Sequence, residues 1–500
     1  MPGFHIEHFG CRAARADGEA IAGLLRTLAE RQPFASDVVV VNTCSVTAEA
    51  DRAARAFIRR AHRRNPEAKI VVTGCYAQRA PEELAGMAGV AAVVGNSHKA
   101  LAPEIIFHLS RGAGLTAPLP PALVPVESLL SPSAPSAAPV QARIQARIQA
   151  RIQARIQAPI WVDDRFAHSF LEEAQLAPGA QTRPNLKIQE GCGNRCTFCV
   201  IPFTRGPSKS LPAASVLRQV EAFVAAGGKE LVLSGINLGR WGRDRQPERG
   251  ALATFAALVR AIIEQTGLPR LRLSSIEPMD WDDELIALMR EYSGRGQPGS
   301  SSADPDRWGG RLARHAHLPL QSGSDAVLRR MHRRYRPWHY AEKVASLARA
   351  AGPDLTLGAD VMVGFPGETD REFEETLAFV RSLPFGYLHL FPFSPRPGTR
   401  AWPLHAASPV PPHAIEERMA VLRALAAEKT RAHRARFIGS RLPAITLHTP
   451  ASLAAQGRTA ALTENFLPIE LEGRLPANQL LHVRVTGFNP EFVLLGSENP

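Results

Sequence analysis

Cysteine is scarce in this sequence, and it contains no long hydrophobic run. Six cysteines in 500 residues do not make a disulfide-stabilised scaffold, which is typical of short secreted chains. Apolar runs such as Val38–Val41 are far shorter than the roughly 20 residues needed to cross a bilayer. The N-terminus, MPGFHIEHFG, lacks the charged and then apolar order of a signal peptide. We therefore expect a cytoplasmic protein that does not enter a membrane.

Acidic residues are outnumbered by basic ones. The chain has 59 Lys and Arg against 47 Asp and Glu, which gives a formal net charge of +12 and a pI near 9.9. Such a balance favours a polyanionic partner, most simply nucleic acid. A hydrophobic content of 45% with 21% charged residues is typical of soluble globular proteins, and the length favours about three domains.

Three of the cysteines, Cys192, Cys196 and Cys199, are close together in the segment GCGNRCTFCVIPFTRG. Thiolates at this spacing converge on one metal centre, because soft sulfur ligands select iron–sulfur clusters, zinc or copper. Structural zinc needs four ligands, and the nearest upstream histidine is the distant His168. A cubane held by three cysteines keeps one iron open for chemistry. We expect a 4Fe–4S cluster here, with structural zinc or unliganded thiols as the alternatives.

This segment resembles the signature of the radical S-adenosylmethionine (SAM) superfamily. The resemblance implies that the open iron binds the amino and carboxylate groups of SAM, and that one electron from the cluster splits its sulfonium C–S bond. It places Phe198 beside the SAM adenine and Arg205 close to the cluster.

The first hundred residues alternate between short Val-rich runs and longer helical stretches. The runs Asp37–Val41, Lys69–Thr73 and Val90–Val94 are separated by Glu19–Arg31 and Ala48–Arg64. Continuous apolar strands that alternate with helices predict an open α/β sheet with parallel strands.

The other three cysteines each follow one of the predicted strands. Cys11 stands in HFGC, Cys44 in VNTCSVT and Cys75 in VTGCYAQ. Ligands bind at the carboxyl ends of the strands in open α/β sheets, so these loops could meet at one point. The alternative is that each is a small buried apolar residue. Because the six cysteines divide into two triplets, we favour a second three-cysteine cluster.

This arrangement resembles the N-terminal domain of the methylthiotransferases, which are radical SAM enzymes with a second 4Fe–4S cluster and a flavodoxin-like open parallel sheet. The segments Val41–Arg64 and Ile70–Gln78 are most similar to the branch that acts on N6-threonylcarbamoyladenosine in tRNA. One departure lies in Gly10–Asp17, which reads GCRAARAD. Ala14 stands where the family usually has Asn, which affects the polar contacts expected around the second cluster.

A low-complexity segment separates the two cysteine-bearing regions. It is rich in Pro, Ala and Ser up to Pro139, and QARI then repeats four times between Gln141 and Ile156. A period of four drifts against the 3.6-residue helical period and builds no steady apolar face. We interpret it as a solvated helix or a disordered linker. The alternative is an auxiliary arm whose arginines contact RNA.

Residues 182–428 again alternate between strands and helices and resemble the partial (β/α)6 barrel of radical SAM enzymes. The strand-like runs after LKIQEGC are Leu231–Ser234, Leu271–Ser275, His317–Leu320, Leu357–Val363 and Tyr387–Phe391. Barrel enzymes keep their chemistry at strand ends. With Phe198, the resemblance implies six further contacts with SAM: Ser234, Gly235, Ser275, Glu277, Gln321 and Asp360.

The C-terminal residues 429–500 contain short strands. They are Leu442–Leu447, Pro468–Leu471, Leu481–Thr486 and Phe492–Leu495. The region resembles the small five-stranded β-barrel called the TRAM domain, and barrels of this kind track nucleic-acid backbones with basic grooves.

The predicted organisation is a methylthiotransferase N-terminal domain at 1–110, a linker at 111–181, a radical SAM core at 182–428 and a TRAM-like domain at 429–500. The resemblance implies a tRNA methylthiotransferase that modifies C2 of N6-threonylcarbamoyladenosine beside the anticodon, with SAM and two 4Fe–4S clusters. Its expected partners are the tRNA anticodon stem-loop, a reductant such as flavodoxin or ferredoxin, and a sulfur donor. We expect a monomer.

Three alternatives stay open from the sequence. One is methylthiolation of an aspartate in a ribosomal protein, and another is action on isopentenyladenosine in tRNA. The third is a non-enzymatic iron–sulfur regulator that binds RNA. The residues around Cys44 and Cys75, NTCSVT and VTGCYAQ, argue against the ribosomal-protein branch.

Overall fold

The computed structural model describes residues 3–111, 158–170, 182–245, 252–294 and 310–498. Contacts divide these residues into two compact units. The first unit holds the described residues up to Gln175, with Glu190–Gly193 and Val200–Ser208. The second holds those of Leu176–Gln189, Asn194–Cys199 and Lys209–Pro500. The motif cysteines are therefore divided, with Cys192 in the first unit and Cys196 and Cys199 in the second.

The first unit is built on a parallel sheet. Its strands, in sheet order, are β1 (Phe4–His8), β2 (Val38–Thr43), β3 (Lys69–Gly74), β4 (Val90–Gly95) and β5 (Ile160–Trp161). Helical segments of the unit span Arg12–Arg31, Ala48–Arg64, Cys75–Arg79, Pro81–Ala85, Asn96–Leu101, Ala102–Ser110 and Ile201–Arg205. Alternate residues of the strands belong to two separate apolar clusters, which is typical of a sheet covered on both faces.

The predicted open parallel sheet is confirmed, and two details differ from the expectation. The strands follow one another in chain order across the sheet, whereas flavodoxin-like sheets have the order 2-1-3-4-5. The edge strand β5 comes from inside the segment predicted as a linker, where Trp161 packs into the core beside β4. A two-residue strand carries too little periodicity to be found in a sequence.

The second unit contains a partial barrel of parallel strands. The strands are β6 (Asn185–Glu190), β7 (Lys209–Ser210), β8 (Glu230–Gly235), β9 (Arg270–Leu273), β10 (His315–His317), β11 (Thr356–Val363) and β12 (Phe385–Pro392). Strands β7-β6-β8-β9 form one sheet and β10-β11-β12 another. Isolated parallel bridges, including Ser275 to His317, link the end of β9 to β10. Six of these seven strands match the strands that the sequence predicted, so the predicted (β/α)6 partial barrel is confirmed, with the two-residue β7 as an additional edge strand.

Helices follow these strands as the alternating pattern requires. They span Ala213–Ala225, Leu238–Arg240, Phe255–Gln265, Pro278–Asp280, Asp283–Tyr292, Asp325–Arg330, Pro337–Ala351, Asp370–Ser382, Ala401–Ala407 and Pro412–Ala435. Their starts are marked by local chemistry. Thr369 and Glu372 form a reciprocal capping box at Asp370–Ser382, which satisfies backbone N–H groups that the first helical turn leaves free.

The C-terminal strands close into a small barrel. They are β13 (Arg441–Thr446), β14 (Arg458–Thr463), β15 (Pro468–Glu472), β16 (Leu480–Phe488) and β17 (Leu494–Glu498), in the order β13-β14-β15-β17-β16, with a short helix at Ala451–Ala454. The five-stranded barrel is confirmed. Strand β14 was missing from the predicted strands, because RTAALT has little of the β-branched and aromatic content that marks strands.

A buried ion pair and a hydrogen bond attach this small barrel to the rest of its unit. Arg314 donates to Glu464, and Arg272 donates to the Thr463 carbonyl at 3.4 Å. Burial would raise the pKa of Glu230, but its arginine neighbours, of which Arg272 is the strongest, lower that pKa to about 2. Charged groups are rarely buried unless they are paired. The contacts of Arg314 and Arg272 therefore show that the small barrel packs specifically against the rest of its unit.

The QARI repeat and the Gly/Ser-rich segment around residues 295–309 lie outside the described residues. Among the residues that are described, no helix is long and apolar enough to span a bilayer.

Candidate active site

Cys11, Cys44 and Cys75 lie at the same edge of the N-terminal sheet. Cys11 precedes the helix that follows β1, Cys44 follows β2, and Cys75 begins the helix that follows β3. Neighbouring parallel strands end at one edge, so their loops are adjacent. At Gly10 (φ +108°) an added Cβ would lie 2.2 Å from the Cys44 Cβ, so only glycine lets the first loop pack so closely on the second.

The thiols interact with one another electrostatically. Burial, and then the neighbouring Cys11 and Cys75, raise the pKa of Cys44 to about 12. Three crowded thiols resist ionising together without a cation, whereas a coordinated metal deprotonates its thiols outright. This donor set therefore fits an iron–sulfur cluster, which is held by thiolates.

A buried ion cluster lies directly against Cys75. Arg205 donates from Nε to the Cys75 Sγ at 3.2 Å, and from Nη1 to Glu190 at 2.7 Å and Asp17 at 3.0 Å. Lys99 donates to the same two carboxylates, to Asp17 at 2.6 Å and Glu190 at 3.4 Å. All four side chains are at most 1% exposed. Two cations and two anions balance, which is what makes their burial tolerable.

The Arg205 side chain keeps its charge in this setting. Burial alone would lower its pKa, but Cys75, Glu190 and Asp17 together raise it well above the ordinary value. Asn96 adds a second donor to the Cys75 Sγ at 3.3 Å and is itself held by a bond to the Thr204 carbonyl at 2.7 Å. The Cys75 sulfur thus receives one charged and one neutral hydrogen bond.

Ala14, the position that departs from the family pattern, is 1% exposed inside the first helix. Its carbonyl accepts a hydrogen bond from the Asn42 side chain at 2.5 Å. A polar contact beside the strand-end loops is therefore made by the backbone of residue 14 and the amide of Asn42.

The contiguous motif is anchored separately in each unit. In the first unit the Cys192 amide donates to the Gly206 carbonyl at 3.2 Å. In the second unit the Cys199 amide donates to the Cys196 carbonyl at 3.2 Å, and the Thr197 amide donates to the Met331 carbonyl at 3.1 Å. Phe198 packs against an apolar cluster that includes Met362 and Phe365 at β11.

Arg333, which the sequence interpretation missed, connects Cys196 to Glu277. Its guanidinium donates to the Cys196 Sγ at 3.2 Å, to the Glu277 carboxylate, and to the Tyr335 hydroxyl at 3.1 Å. Its side chain is 5% exposed. The basic run HRRYR around it suggests a solvated surface, and no local signal distinguishes Arg333 from its exposed neighbour Arg334.

A small cavity opens beside Cys196. Charged and polar side chains dominate its lining, which is formed by Asn194, Arg195, Cys196, Glu277, Met279, His332, Arg333 and Arg334. The predicted contacts Cys196 and Glu277 are therefore brought together. Such a lining suits a zwitterionic ligand, because it offers both cations and a carboxylate.

The remaining predicted SAM contacts lie at strand ends of the partial barrel. Ser234 and Gly235 end β8, Ser275 follows β9, and Gln321 follows β10. Ser234 Oγ and Gln321 Oε1 are buried and have no hydrogen-bond partner among the described residues. Gln321 also has φ +69°, a conformation that non-glycine residues adopt mostly where function requires it.

Asp360 lies within β11 and contacts two histidines. Its Oδ1 is 3.1 Å from His317 Nε2 and 3.2 Å from His389 Nδ1. These contacts hold the pKa of Asp360 well below its usual range although burial would raise it. The predicted contact of Asp360 with SAM stays a prediction.

Comparison with known proteins is consistent with this geometry. Residues 3–95 match a family described as "Uncharacterized protein family UPF0004", and residues 186–380 match the "Radical SAM superfamily". The first match covers the cysteine-bearing sheet, and the second covers the partial barrel with its contiguous motif.

Full-length relatives cover both regions. The threonylcarbamoyladenosine tRNA methylthiotransferase MtaB of Bacillus subtilis is 34% identical over 80% of this chain and 74% of its own length. The enzyme of the same name from Aquifex aeolicus is 31% identical over 90% of this chain and 91% of its own. A tRNA-2-methylthio-N(6)-dimethylallyladenosine synthase from Acidothermus cellulolyticus is 30% identical over 97% and 84%. The chain belongs to the radical SAM methylthiotransferase family.

Proposed function

We propose that this protein adds a methylthio group to C2 of N6-threonylcarbamoyladenosine beside the anticodon of tRNA. The observation that carries the proposal is the meeting of Cys11, Cys44 and Cys75 at one sheet edge in a chain that also has the radical SAM motif. Two triplets of thiols match an enzyme with two clusters. The relatives at 34% and 31% identity are named for this nucleoside, and they favour it over the other substrates.

The cofactors are SAM and iron–sulfur clusters. When bound, they supply the one-electron chemistry and the methylthio group that replace an unactivated aromatic hydrogen. We assign one 4Fe–4S cluster to Cys192, Cys196 and Cys199 and the other to Cys11, Cys44 and Cys75. The crowding of the second triplet and the hydrogen bond from Arg333 to Cys196 support this assignment.

The SAM site is proposed around the cavity at Cys196 and the neighbouring strand ends. Arg333 holds the Glu277 carboxylate in place, so that Glu277 can meet the cationic end of SAM. Ser234 and Gln321 offer buried oxygens to a ligand, beside Gly235 and Ser275. Phe198 lies against the apolar cluster and supplies an aromatic face for the adenine.

The partners follow from the substrate. We propose that the C-terminal barrel binds tRNA as TRAM-like barrels do, and that the single-stranded anticodon loop lets the modified base enter the site. A reductant such as flavodoxin or ferredoxin and a sulfur donor complete the reaction. We further propose that the enzyme is cytoplasmic, since tRNA is modified there, and that it acts as a monomer.

Nucleoside mass spectrometry on a deletion strain tests the function. We expect its tRNA to contain N6-threonylcarbamoyladenosine without the methylthio group, and the wild-type gene to restore the modified form. Cys192→Ala should fail to restore it while tRNA binding is mostly retained, because this thiol is assigned to the cluster and tRNA binding is assigned mainly to the C-terminal barrel.

Two other outcomes would redirect the assignment. Loss of the methylthio group from isopentenyladenosine would place the enzyme in the branch named for dimethylallyladenosine. Unchanged tRNA with an unmodified aspartate in a ribosomal protein would identify the protein substrate instead.

A further inference from the structure

Three adjacent parallel strands of the partial barrel place a histidine, an aspartate and a second histidine side by side. His317 ends β10, Asp360 lies in β11, and His389 lies in β12 as the register partner of Asp360. All three belong to the second unit. Asp360 Oδ1 lies 3.1 Å from His317 Nε2 and 3.2 Å from His389 Nδ1, and the three donor atoms are all within 4.8 Å of one another.

The two distances from Asp360 to the histidines suit a metal ion. Ligand atoms about 2.0–2.1 Å from a metal at tetrahedral or octahedral angles lie about 2.9–3.4 Å apart. Two neutral imidazoles and one carboxylate are a common ligand set for zinc and for other divalent transition metals. We propose that His317, Asp360 and His389 form a binding site for a divalent transition metal such as Zn²⁺, separate from the two cysteine sets.

The residues behind the ligands support this assignment. The Tyr387 hydroxyl lies 2.9 Å from His317 Nδ1 and 2.8 Å from His315 Nε2. This contact fixes the orientation of the His317 ring and directs its Nε2 at Asp360. Metal-binding histidines typically use their second nitrogen in this way, and the partner residue controls metal affinity.

The backbone also makes room for this arrangement. A Cβ added to Gly358, two residues before Asp360, would lie 2.1 Å from the Tyr387 ring. A glycine at this position therefore allows Tyr387 to cross β11 and reach His315 and His317 on β10. The site is open on one side, because the His389 side chain is 57% exposed while that of His317 is 7% exposed. Three protein ligands leave a coordination position free, which is typical of reactive zinc sites.

Zinc binding by the cluster-loaded enzyme tests the site. After equilibrium dialysis against Zn²⁺, we expect the wild type to hold one zinc per chain more than His389→Ala or Asp360→Asn. Iron and sulfide contents should be equal in all samples, so that zinc at the cysteines is excluded. Tyr387→Phe should weaken zinc binding about 10- to 100-fold. His413→Ala, at an exposed histidine outside the group, is the matched control and should bind zinc as the wild type does.

The zinc-edge anomalous signal of a crystal gives the second measurement, with a peak expected between the three side chains. Equal zinc in the wild type and His389→Ala would overturn the proposal and leave a hydrogen-bonded group only.

Discussion

Arg205 is the charged residue that contacts both the cysteine group of the first unit and its buried carboxylates. It donates to Cys75 and to two buried carboxylates at once. A cation beside a cluster ligand stabilises the reduced, more negative state, because little water is present to screen the interaction. Arg205 is thus placed to set how easily the cluster assigned to Cys11, Cys44 and Cys75 is reduced.

Arg205→Gln should lower the midpoint potential of that cluster by on the order of 100 mV, since one buried positive charge is lost. A redox titration followed by electron paramagnetic resonance measures it. Arg205→Lys keeps the charge and should shift the potential less. The double variant Arg205→Gln, Glu190→Gln restores the charge balance and controls for folding. An unchanged potential at full iron content would argue against Cys75 as a ligand.

Local helix signals and long-range contacts together position the elements of the second unit. The helix Pro412–Ala435 packs against β11 and β12 through the buried His433, whose Nε2 lies 2.9 Å from the Thr356 hydroxyl. An added Cβ on Gly386 would lie 2.8 Å from the His433 ring. His433 is therefore a tightly packed titratable group in this helix, which is also held by Arg418 through Glu368 and Asp370.

Lowering the pH should loosen this helix selectively. Burial lowers the pKa of His433 from 6.5 to about 4, so the folded state binds the proton less well than the unfolded state. The stability that neutral His433 contributes is complete above pH 6.5 and is lost as the pH falls towards 4, by roughly 2–3 kcal/mol. Hydrogen exchange of peptides from 412–435 should show this loss, and His433→Gln should reduce the pH dependence. Equal pH dependence in both proteins would contradict it.

At the scale of the whole molecule, the excess of basic residues gives a net charge of +12. Part of that charge is arranged unfavourably for stability in the C-terminal barrel. Arg441 on β13 and Arg484 on β16 are direct cross-strand partners, and both are exposed. Like charges directly opposite one another destabilise a sheet, so a polyanion would relieve this pair.

Replacing Arg441 or Arg484 with Ala should weaken tRNA binding at low salt, and each should reduce the slope of log affinity against log salt by about 1. Filter binding over a range of salt concentrations measures both effects. Arg371→Ala is the matched control, because its side chain is 90% exposed on a helix outside the barrel. A salt slope equal to that of the wild type in both barrel variants would exclude this face from RNA binding.

Regular elements were predictable where local pattern determines them. The helix Ala48–Arg64 has the bounds that its sequence indicated, because its cap residue Thr47 and its apolar spacing are local signals. The parallel Val-rich strands were equally clear. Strand β5 was missed because its two residues form a strand only by pairing with the distant β4. Strand β14 was missed because its own residues carry a weak strand signal, although it pairs with its chain neighbours β13 and β15.

The amino-acid sequence by itself determined the spacing of Cys192, Cys196 and Cys199, the alternation of strands with helices, and the family, because these features lie within short stretches of chain. Only the tertiary structure decided that Arg205 joins Cys75 to the buried carboxylates of Asp17 and Glu190, that Arg333 joins Cys196 to Glu277, and that two histidines meet Asp360. The physical reason is that a buried charge must find a partner wherever the fold supplies one. Such partners are commonly far apart along the chain, where no local pattern records them.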